Sequence, residues 1–226
     1  MSQARVTPLL QAVLFDLDGT LVDSAPDLAG AANDMRALRG LQPVDYHELR
    51  RMAGSGARGV LARAFDIAPG QDGYEPLRDE FHDLYEQRML RETALFAAVL
   101  PVLDALEQRG LAWGIVTNKA LRFASPLASA LGLWPRASVL VAGDTTSHTK
   151  PHPAPLLEAA RQLSVAAACC AYVGDDHRDM QAARAAGMGA VAAAWGYIGA
   201  GALPHDWDAD VVLTEPGELL HFLKLA

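Results

Sequence analysis

Two hydrophobic patterns divide this chain. Short uninterrupted apolar runs, rich in valine, alanine and leucine, occur near the start and repeatedly from residue 113 onwards. Such runs are typical of strands buried on both faces of a parallel sheet. Between them, apolar residues recur at the spacing of amphipathic helices. The predicted strands are 12–15, 113–117, 139–142, 171–174, 190–194 and 211–213, and the helices among them are 102–108, 121–131, 153–163, 178–186 and 217–225.

The stretch from residue 25 to residue 92 has a different pattern. It contains no convincing strand, and its helical segments are separated by glycine and proline. The alternation of strands and helices elsewhere favours an α/β fold with a doubly wound parallel sheet. We therefore predict an α/β unit formed by 1–23 and 97–226, interrupted by an all-helical domain at 24–96. The helices of this insert are predicted at 26–39, 46–52, 57–65 and 74–90.

Asp16 and Asp18 follow the first apolar run, and Gly19 then releases the chain into a loop. Residues two apart on an extended chain point to the same side, so both carboxylates can face one point beyond the strand. Open α/β sheets bind their ligands at that edge. Two such close carboxylates repel unless one is protonated or a cation lies between them. Magnesium would leave one carboxylate ionised as a nucleophile, while the other exchanges a proton.

Three further segments place polar residues after predicted strands. Thr117 and Asn118 can donate hydrogen bonds to a phosphoryl oxygen, although a helix cap would use the same residues. Lys150, in Lys-Pro-His-Pro, supplies a point charge suited to phosphate. Asp175 lies where a strand gives way to a helix, and Asp179 follows on the same helix face. Because parallel strands end at one edge, these residues are expected to meet the first two aspartates.

Composition and charge argue against some classes of binding partner and indicate a cellular compartment. The chain has 226 residues and a formal net charge of −8, so binding to nucleic acid or to an anionic membrane is not expected. Its start lacks the apolar core of a signal peptide and no run is long enough to cross a bilayer, which makes the cytoplasm the expected location. The adjacent Cys169 and Cys170 are too close to each other for the usual disulfide and are expected to be reduced.

The segment 16–24, Asp-Leu-Asp-Gly-Thr-Leu-Val-Asp-Ser, closely resembles the first motif of the haloacid dehalogenase-like hydrolase superfamily. The resemblance implies that Asp16 is the nucleophile that becomes an aspartyl-phosphate and that Asp18 is the general acid and base. Thr117-Asn118-Lys119 resembles the second motif, in which the threonine binds phosphate and the asparagine orients the substrate. The implied activity is hydrolysis of a phosphate monoester.

The later motifs also resemble this superfamily. Lys-Pro-His-Pro is similar to its third motif, which implies that Lys150 binds phosphate. The segment 173–179, Val-Gly-Asp-Asp-His-Arg-Asp, is similar to its fourth. The resemblance implies Mg²⁺ as cofactor, held by Asp16, Asp18 and Asp175. It also implies that Asp179 supports these ligands without binding the metal itself.

An insert directly after the first motif resembles the helical C1 cap of the superfamily. Such caps close over the substrate and set specificity. The segment Gly-Ser-Gly-Ala-Arg at 54–58 is the expected specificity loop, in which Arg58 would pair with a substrate carboxylate; a solvated arginine is the alternative.

The sequence resembles two groups within the superfamily, which leaves the substrate open. The overall pattern is similar to phosphoglycolate phosphatases, and the segments 113–119, 122–124 and 195–198 are similar to N-acetylmuramic acid 6-phosphate phosphatases. The expected substrate is a small phosphorylated carboxylate of the 2-phosphoglycolate type, with a sugar phosphate as the alternative. A β-phosphoglucomutase-like phosphotransferase shares the motifs, and a receiver-like switch shares the residue types. A dehalogenase lacks an equivalent of Asp18. The chain is expected to act as a monomer or homodimer.

Overall fold

The computed structural model describes residues 9–199, 201 and 203–224. Within these residues, six parallel strands form one sheet in the order β5-β4-β1-β6-β7-β8, and β2 pairs antiparallel with β3. The strands are β1 Ala12–Phe15, β2 Val22–Asp23, β3 Ala94–Leu95, β4 Ala112–Val116, β5 Leu140–Val141, β6 Cys170–Gly174, β7 Gly189–Ala193 and β8 Val211–Leu213.

Helices cover the sheet and form the insert. The helices of the insert, α1 to α4, contact one another. The helices are α1 Ala25–Leu38, α2 Tyr46–Arg50, α3 Gly56–Phe65, α4 Tyr74–Arg88, α5 Val99–Gln108, α6 Leu121–Ala130, α7 Ala154–Leu163, α8 His177–Ala186 and α9 Glu218–Phe222, with short 3-10 turns at Ala53–Ser55, Ala167–Cys169 and Pro204–Asp206.

The sheet is buried on both faces. Along β1, Val13 and Phe15 pack into one apolar cluster, while Ala12 and Leu14 pack into the cluster on the opposite face. This arrangement follows from the period of two along a strand and explains why β1 is apolar without interruption. A third apolar cluster lies among the insert helices and includes Phe123 from α6.

The fold class agrees with the sequence prediction, and most element boundaries shift by one to three residues. The two-residue strands β2 and β3 were not predicted, because two residues carry no periodic signal. This ribbon lies where the sequence placed the junctions of the helical insert, whose bounds stay a prediction. Two parts of the sequence prediction lie outside the described residues. They are residue 225, the predicted end of the last helix, and residues 1–8, the predicted start of the α/β unit. Among the described residues, every helix is too short or too polar to span a lipid bilayer.

Candidate active site

The ends of three neighbouring strands form the floor of a cavity of about 340 Å³. Asp16 directly follows β1, Thr117 follows β4 and Asp175 follows β6. The chain runs outward from β1 to β5 on one side, and then returns to β6 on the other. The crevice between β1 and β6 is therefore a topological switch point, where open α/β sheets bind ligands. Lys150 reaches the same cavity from the loop before α7.

Lys150 joins two carboxylates at the buried end of this cavity. Its Nζ lies 2.9 Å from Oδ1 of Asp16 and 2.8 Å from Oδ1 of Asp179. It also donates to the carbonyl oxygen of Val116 and to the hydroxyl of Tyr172. Burial alone would lower the pKa of Lys150, but the charges of Asp16 and Asp179 outweigh it and raise the pKa. The lysine therefore stays charged and fixes both carboxylates.

Asp175 is buried with little compensation for its charge. Its carboxylate accepts hydrogen bonds from Thr20 Oγ1 at 3.0 Å and from the backbone N–H of Tyr197 at 2.7 Å. Burial, reinforced by the charges of Asp16 and Asp179, raises its pKa well above the ordinary value. Gly19, at a φ of +84°, packs so closely on this carboxylate that a Cβ there would overlap it.

Three of these carboxylates can hold a metal ion together. One oxygen each from Asp16, Asp175 and Asp179 lies within 4.8 Å of the others. We call these residues and Lys150 the sheet-edge cluster; it contains three carboxylates and only one cation. Burial, with the charge of Asp16, raises the pKa of Asp179 to about 6 despite the opposing Lys150. A surplus of buried oxygen ligands fits a hard divalent cation.

Asp18 lines the cavity but is not part of that oxygen group. Its two carboxylate oxygens each lie 3.1 Å from Nζ of Lys119, and Ser24 Oγ donates to it. Lys119 donates in turn to the hydroxyl of Tyr85 on α4, at 2.8 Å. Burial would lower the pKa of Lys119, but Asp18 and Tyr85 outweigh it and raise the pKa. A metal role for the Asp18 side chain, expected from the resemblance, stays a prediction, and the structure groups Asp179 with Asp16 and Asp175 instead.

Asn118 and Thr117 organise the loops around Lys150. The Asn118 side chain accepts from the backbone N–H of Lys150 at 2.9 Å and donates to its carbonyl oxygen at 3.0 Å. Thr117 Oγ1 accepts from the backbone N–H of Lys119 at 3.1 Å. Both side chains line the cavity, as the sequence led us to expect. Asn118 therefore fixes the backbone of Lys150.

The insert supplies the opposite wall of the cavity. The segment 53–57 lines it, but Arg58 is exposed and is not among the lining residues. Arg178 of α8 donates to both carboxylate oxygens of Asp176 and to the carbonyl oxygen of Gly54, the last at 2.7 Å. The role of Arg58 stays a prediction, and Arg178 joins α8 to the segment 54–58.

Sequence reasoning gave no role to several residues that form this site. Lys119 lies in the second motif, in which only the threonine and the asparagine have an implied role, and Tyr85 lies in the predicted helix 74–90. Tyr197 was noted only within a family-like segment, yet its hydroxyl accepts from the backbone N–H groups of Ser24 and Ala25, while its own N–H binds Asp175. These contacts join segments remote in sequence, so no local pattern signals them.

The site and the fold agree with what sequence comparison finds. The chain belongs to the haloacid dehalogenase-like hydrolase family, whose sequence profile matches residues 13–193. The predicted family and fold class are thereby confirmed.

Two relatives and one solved structure are similar over nearly the whole chain. The phosphoglycolate phosphatase of Xanthomonas campestris pv. campestris is 47% identical over 92% of this chain and 94% of its own. The N-acetylmuramic acid 6-phosphate phosphatase of Pseudomonas aeruginosa is 42% identical over 96% of both chains. A crystal structure of a predicted phosphoglycolate phosphatase from Haemophilus somnus has a TM-score of 0.84 at 26% identity, covering 94% and 97% of the two chains. The relatives share phosphatase activity and differ in the named substrate.

Proposed function

We propose that this phosphoric monoester hydrolase uses Asp16 as its nucleophile and depends on Mg²⁺. The observation that carries the proposal is the sheet-edge cluster, in which Lys150 lies within 2.9 Å of both Asp16 and Asp179 at the floor of the cavity. An ionised carboxylate held by a buried ammonium group, open to a cavity, is suited to attack an electrophilic phosphorus.

The reaction takes place in two steps. An Asp16 oxygen forms a bond to phosphorus while the bond to the leaving oxygen breaks, and Asp18 gives that oxygen a proton. Asp18 then takes a proton from water, which attacks the aspartyl-phosphate and releases inorganic phosphate. Lys150 and Thr117 stabilise charge on the phosphoryl oxygens. Lys119 and Ser24 hold the Asp18 carboxylate beside the cavity for both proton transfers.

Asp16, Asp175 and Asp179 are the residues that would hold the metal ion. Their chemistry, three oxygen donors with a surplus of negative charge, fits Mg²⁺. When bound, Mg²⁺ supplies charge neutralisation for the phosphoryl oxygens and for the clustered carboxylates.

The proposed substrate is a small phosphorylated carboxylate of the 2-phosphoglycolate type, supported by the 47% identical relative. N-acetylmuramic acid 6-phosphate is the second candidate. It is supported by the 42% identical relative and by a cavity of about 340 Å³, which lies within the ~300–1,000 Å³ usual for larger organic ligands. The helices of residues 24–96 would act as the cap over either substrate.

We also propose a cytoplasmic protein that acts as a monomer or homodimer.

Phosphate release from a panel of esters, with Mg²⁺ and with EDTA, tests the proposal. We expect Mg²⁺-dependent turnover that Asp16→Asn abolishes while the variant keeps its circular dichroism spectrum. Substantial activity in EDTA would contradict the metal, and substantial activity in Asp16→Asn would contradict the nucleophile. An isomerised sugar phosphate without phosphate release would favour a mutase.

A further inference from the structure

The part of the cavity lining that α4 and α6 supply combines aromatic rings with one arginine. Tyr85 and His82 of α4 each pack against Phe123 of α6, with ring centroids 5.6 and 5.4 Å apart. The Arg122 guanidinium lies over the same Phe123 ring, 4.3 Å from its centroid. All four side chains line the cavity. Apolar rings with one cation are suited to bind the organic part of a substrate rather than its phosphate.

Arg122 differs from the other cations of the cavity in lacking a carboxylate partner. Lys150, Lys119 and Arg178 each have a carboxylate oxygen within 3.1 Å. In the part of the chain that the structure describes, no carboxylate oxygen lies within 4.0 Å of the Arg122 guanidinium. Arg122 is exposed, as Arg58 is, but it lines the cavity, and its contact with Phe123 orients the guanidinium without neutralising it. An arginine held in this way presents its donors to a planar anion such as a carboxylate.

We propose that Arg122 binds the carboxylate of the substrate's leaving group, and that the His82–Phe123 pair forms the wall against which its carbon skeleton lies. This inference rests on the proposed phosphatase function. Burial, with the charges of Arg122 and Arg78, lowers the pKa of His82, so the wall adds no second positive charge at neutral pH. Asp79 of α4 also feels the charge of Arg122, but it is hydrogen-bonded to Arg78 and its side chain is 64% exposed.

The test compares pairs of related esters in which only one member carries a carboxylate. One pair is 2-phosphoglycolate with 2-hydroxyethyl phosphate, and the other is N-acetylmuramic acid 6-phosphate with N-acetylglucosamine 6-phosphate. We expect kcat/KM of the wild type to favour the carboxylate ester of at least one pair. For that ester, Arg122→Gln should lower kcat/KM by about 10- to 100-fold, mainly through KM. The loss on its carboxylate-free partner should be at least tenfold smaller. Arg122→Lys should recover part of the difference.

Two further variants make the result decisive. Arg161→Gln removes a remote exposed arginine and should leave all four esters unaffected. Arg58→Gln tests the rival arginine of the specificity loop. Equal losses on both members of a pair for Arg122→Gln, or a selective loss for Arg58→Gln instead, overturn the inference while the phosphatase function stands. If the wild type hydrolyses none of these esters but releases phosphate from p-nitrophenyl phosphate, the inference also fails. No Mg²⁺-dependent release from any ester would reject the function itself.

Discussion

Two charge clusters in the described part of the molecule each contain three carboxylates and one cation, but they place the carboxylates differently. The first, the helical cluster, joins α1 to the end of α4 and consists of Asp27, Asp34, Arg88 and Glu92. Asp27 is fully buried and accepts from the backbone N–H groups of Glu92 and Thr93 and from Thr93 Oγ1, at 2.8 to 3.0 Å. The side chains of Asp34 and Glu92 are 50% and 62% exposed.

The sheet-edge cluster keeps its three carboxylates away from water. Asp175 and Asp179 are 3% and 1% exposed, and only the Asp16 side chain, at 14%, opens towards the cavity. Desolvated like charges without enough partners are unfavourable, so this arrangement is stable only with an additional cation or bound protons. The helical cluster satisfies its one buried carboxylate and needs nothing more. The comparison teaches that an excess of buried negative charge over its cations, not charge content, distinguishes the sheet-edge cluster.

The two clusters should differ most in kcat and in the free energy of unfolding when the cation of each cluster is replaced. Lys150→Met removes the ammonium group proposed to bind phosphate, which is also the ion-pair partner of Asp16 and Asp179. We expect a loss of about 10³-fold in kcat and, in EDTA at neutral pH, a destabilisation of about 3–5 kcal/mol. Arg88→Met should lower the free energy of unfolding by about 2–4 kcal/mol, yet retain kcat where the protein stays folded. Urea unfolding and phosphate release on both variants check this contrast, and it fails if Arg88→Met is the less active of the two.

Neutralising one buried aspartate in each cluster should change stability in opposite directions. Because burial raises the pKa of Asp175 and makes its ionised form unfavourable in the fold, Asp175→Asn should stabilise the metal-free protein. The same variant should lose activity and the stabilisation that Mg²⁺ gives the wild type. Asp27→Asn turns an amide towards donors and should destabilise by about 1–3 kcal/mol. Unfolding midpoints with EDTA and with Mg²⁺ test both, and a destabilised Asp175→Asn in EDTA would refute the comparison.

The sequence predicted the sheet-edge cluster better than the helical one, for a physical reason. Asp16, Lys150 and Asp175 belong to loops at the carboxyl ends of apolar strands, and parallel strands gather those ends at one edge. Burial of β1 on both faces likewise follows from its uninterrupted apolar run. These features depend on local pattern plus one rule of topology.

The remaining contacts could not be obtained in this way. Asp27 meets Arg88 across 61 residues, Arg178 meets Gly54 across 124, and Lys119 meets Tyr85 across 34. Each contact depends on how the insert helices pack against one another or against the α/β unit. The spacing of apolar residues along the sequence does not determine this packing. The same reason explains why Arg58 was expected at the cavity and Arg122 was not, since helix packing decides which arginine faces the cavity.

Protons should compete with Mg²⁺ at the sheet-edge cluster. In the metal-free protein the pKa of Asp179 is raised to about 6, chiefly by burial, and a bound cation must displace that proton. The raised pKa also means that this group stabilises the metal-free fold below about pH 4, and that this stabilisation is lost as the pH rises through about 6. We expect the apparent Mg²⁺ affinity to fall by about tenfold between pH 7 and pH 5.

Isothermal titration of Mg²⁺ in buffers of different ionisation enthalpy measures this competition. Proton release should be seen near pH 6 and should diminish at pH 8. An affinity that is constant from pH 5 to pH 7, with no proton release, would show that the cluster carboxylates are already ionised without metal.

The smallest effect is expected where a short ion pair lies in water. Arg161 Nη2 is 2.7 Å from Glu158 Oε1, as close as Lys150 is to Asp179, but the Arg161 side chain is 72% exposed. Hydrogen bonds from Arg161 and Gln162 lower the pKa of Glu158 to about 2, yet solvent screens an exposed pair. Arg161→Gln should therefore leave the unfolding midpoint and its dependence on salt unchanged within error. A clear destabilisation would mean that distance matters more than burial, and the contrast between the two buried clusters would then need another explanation.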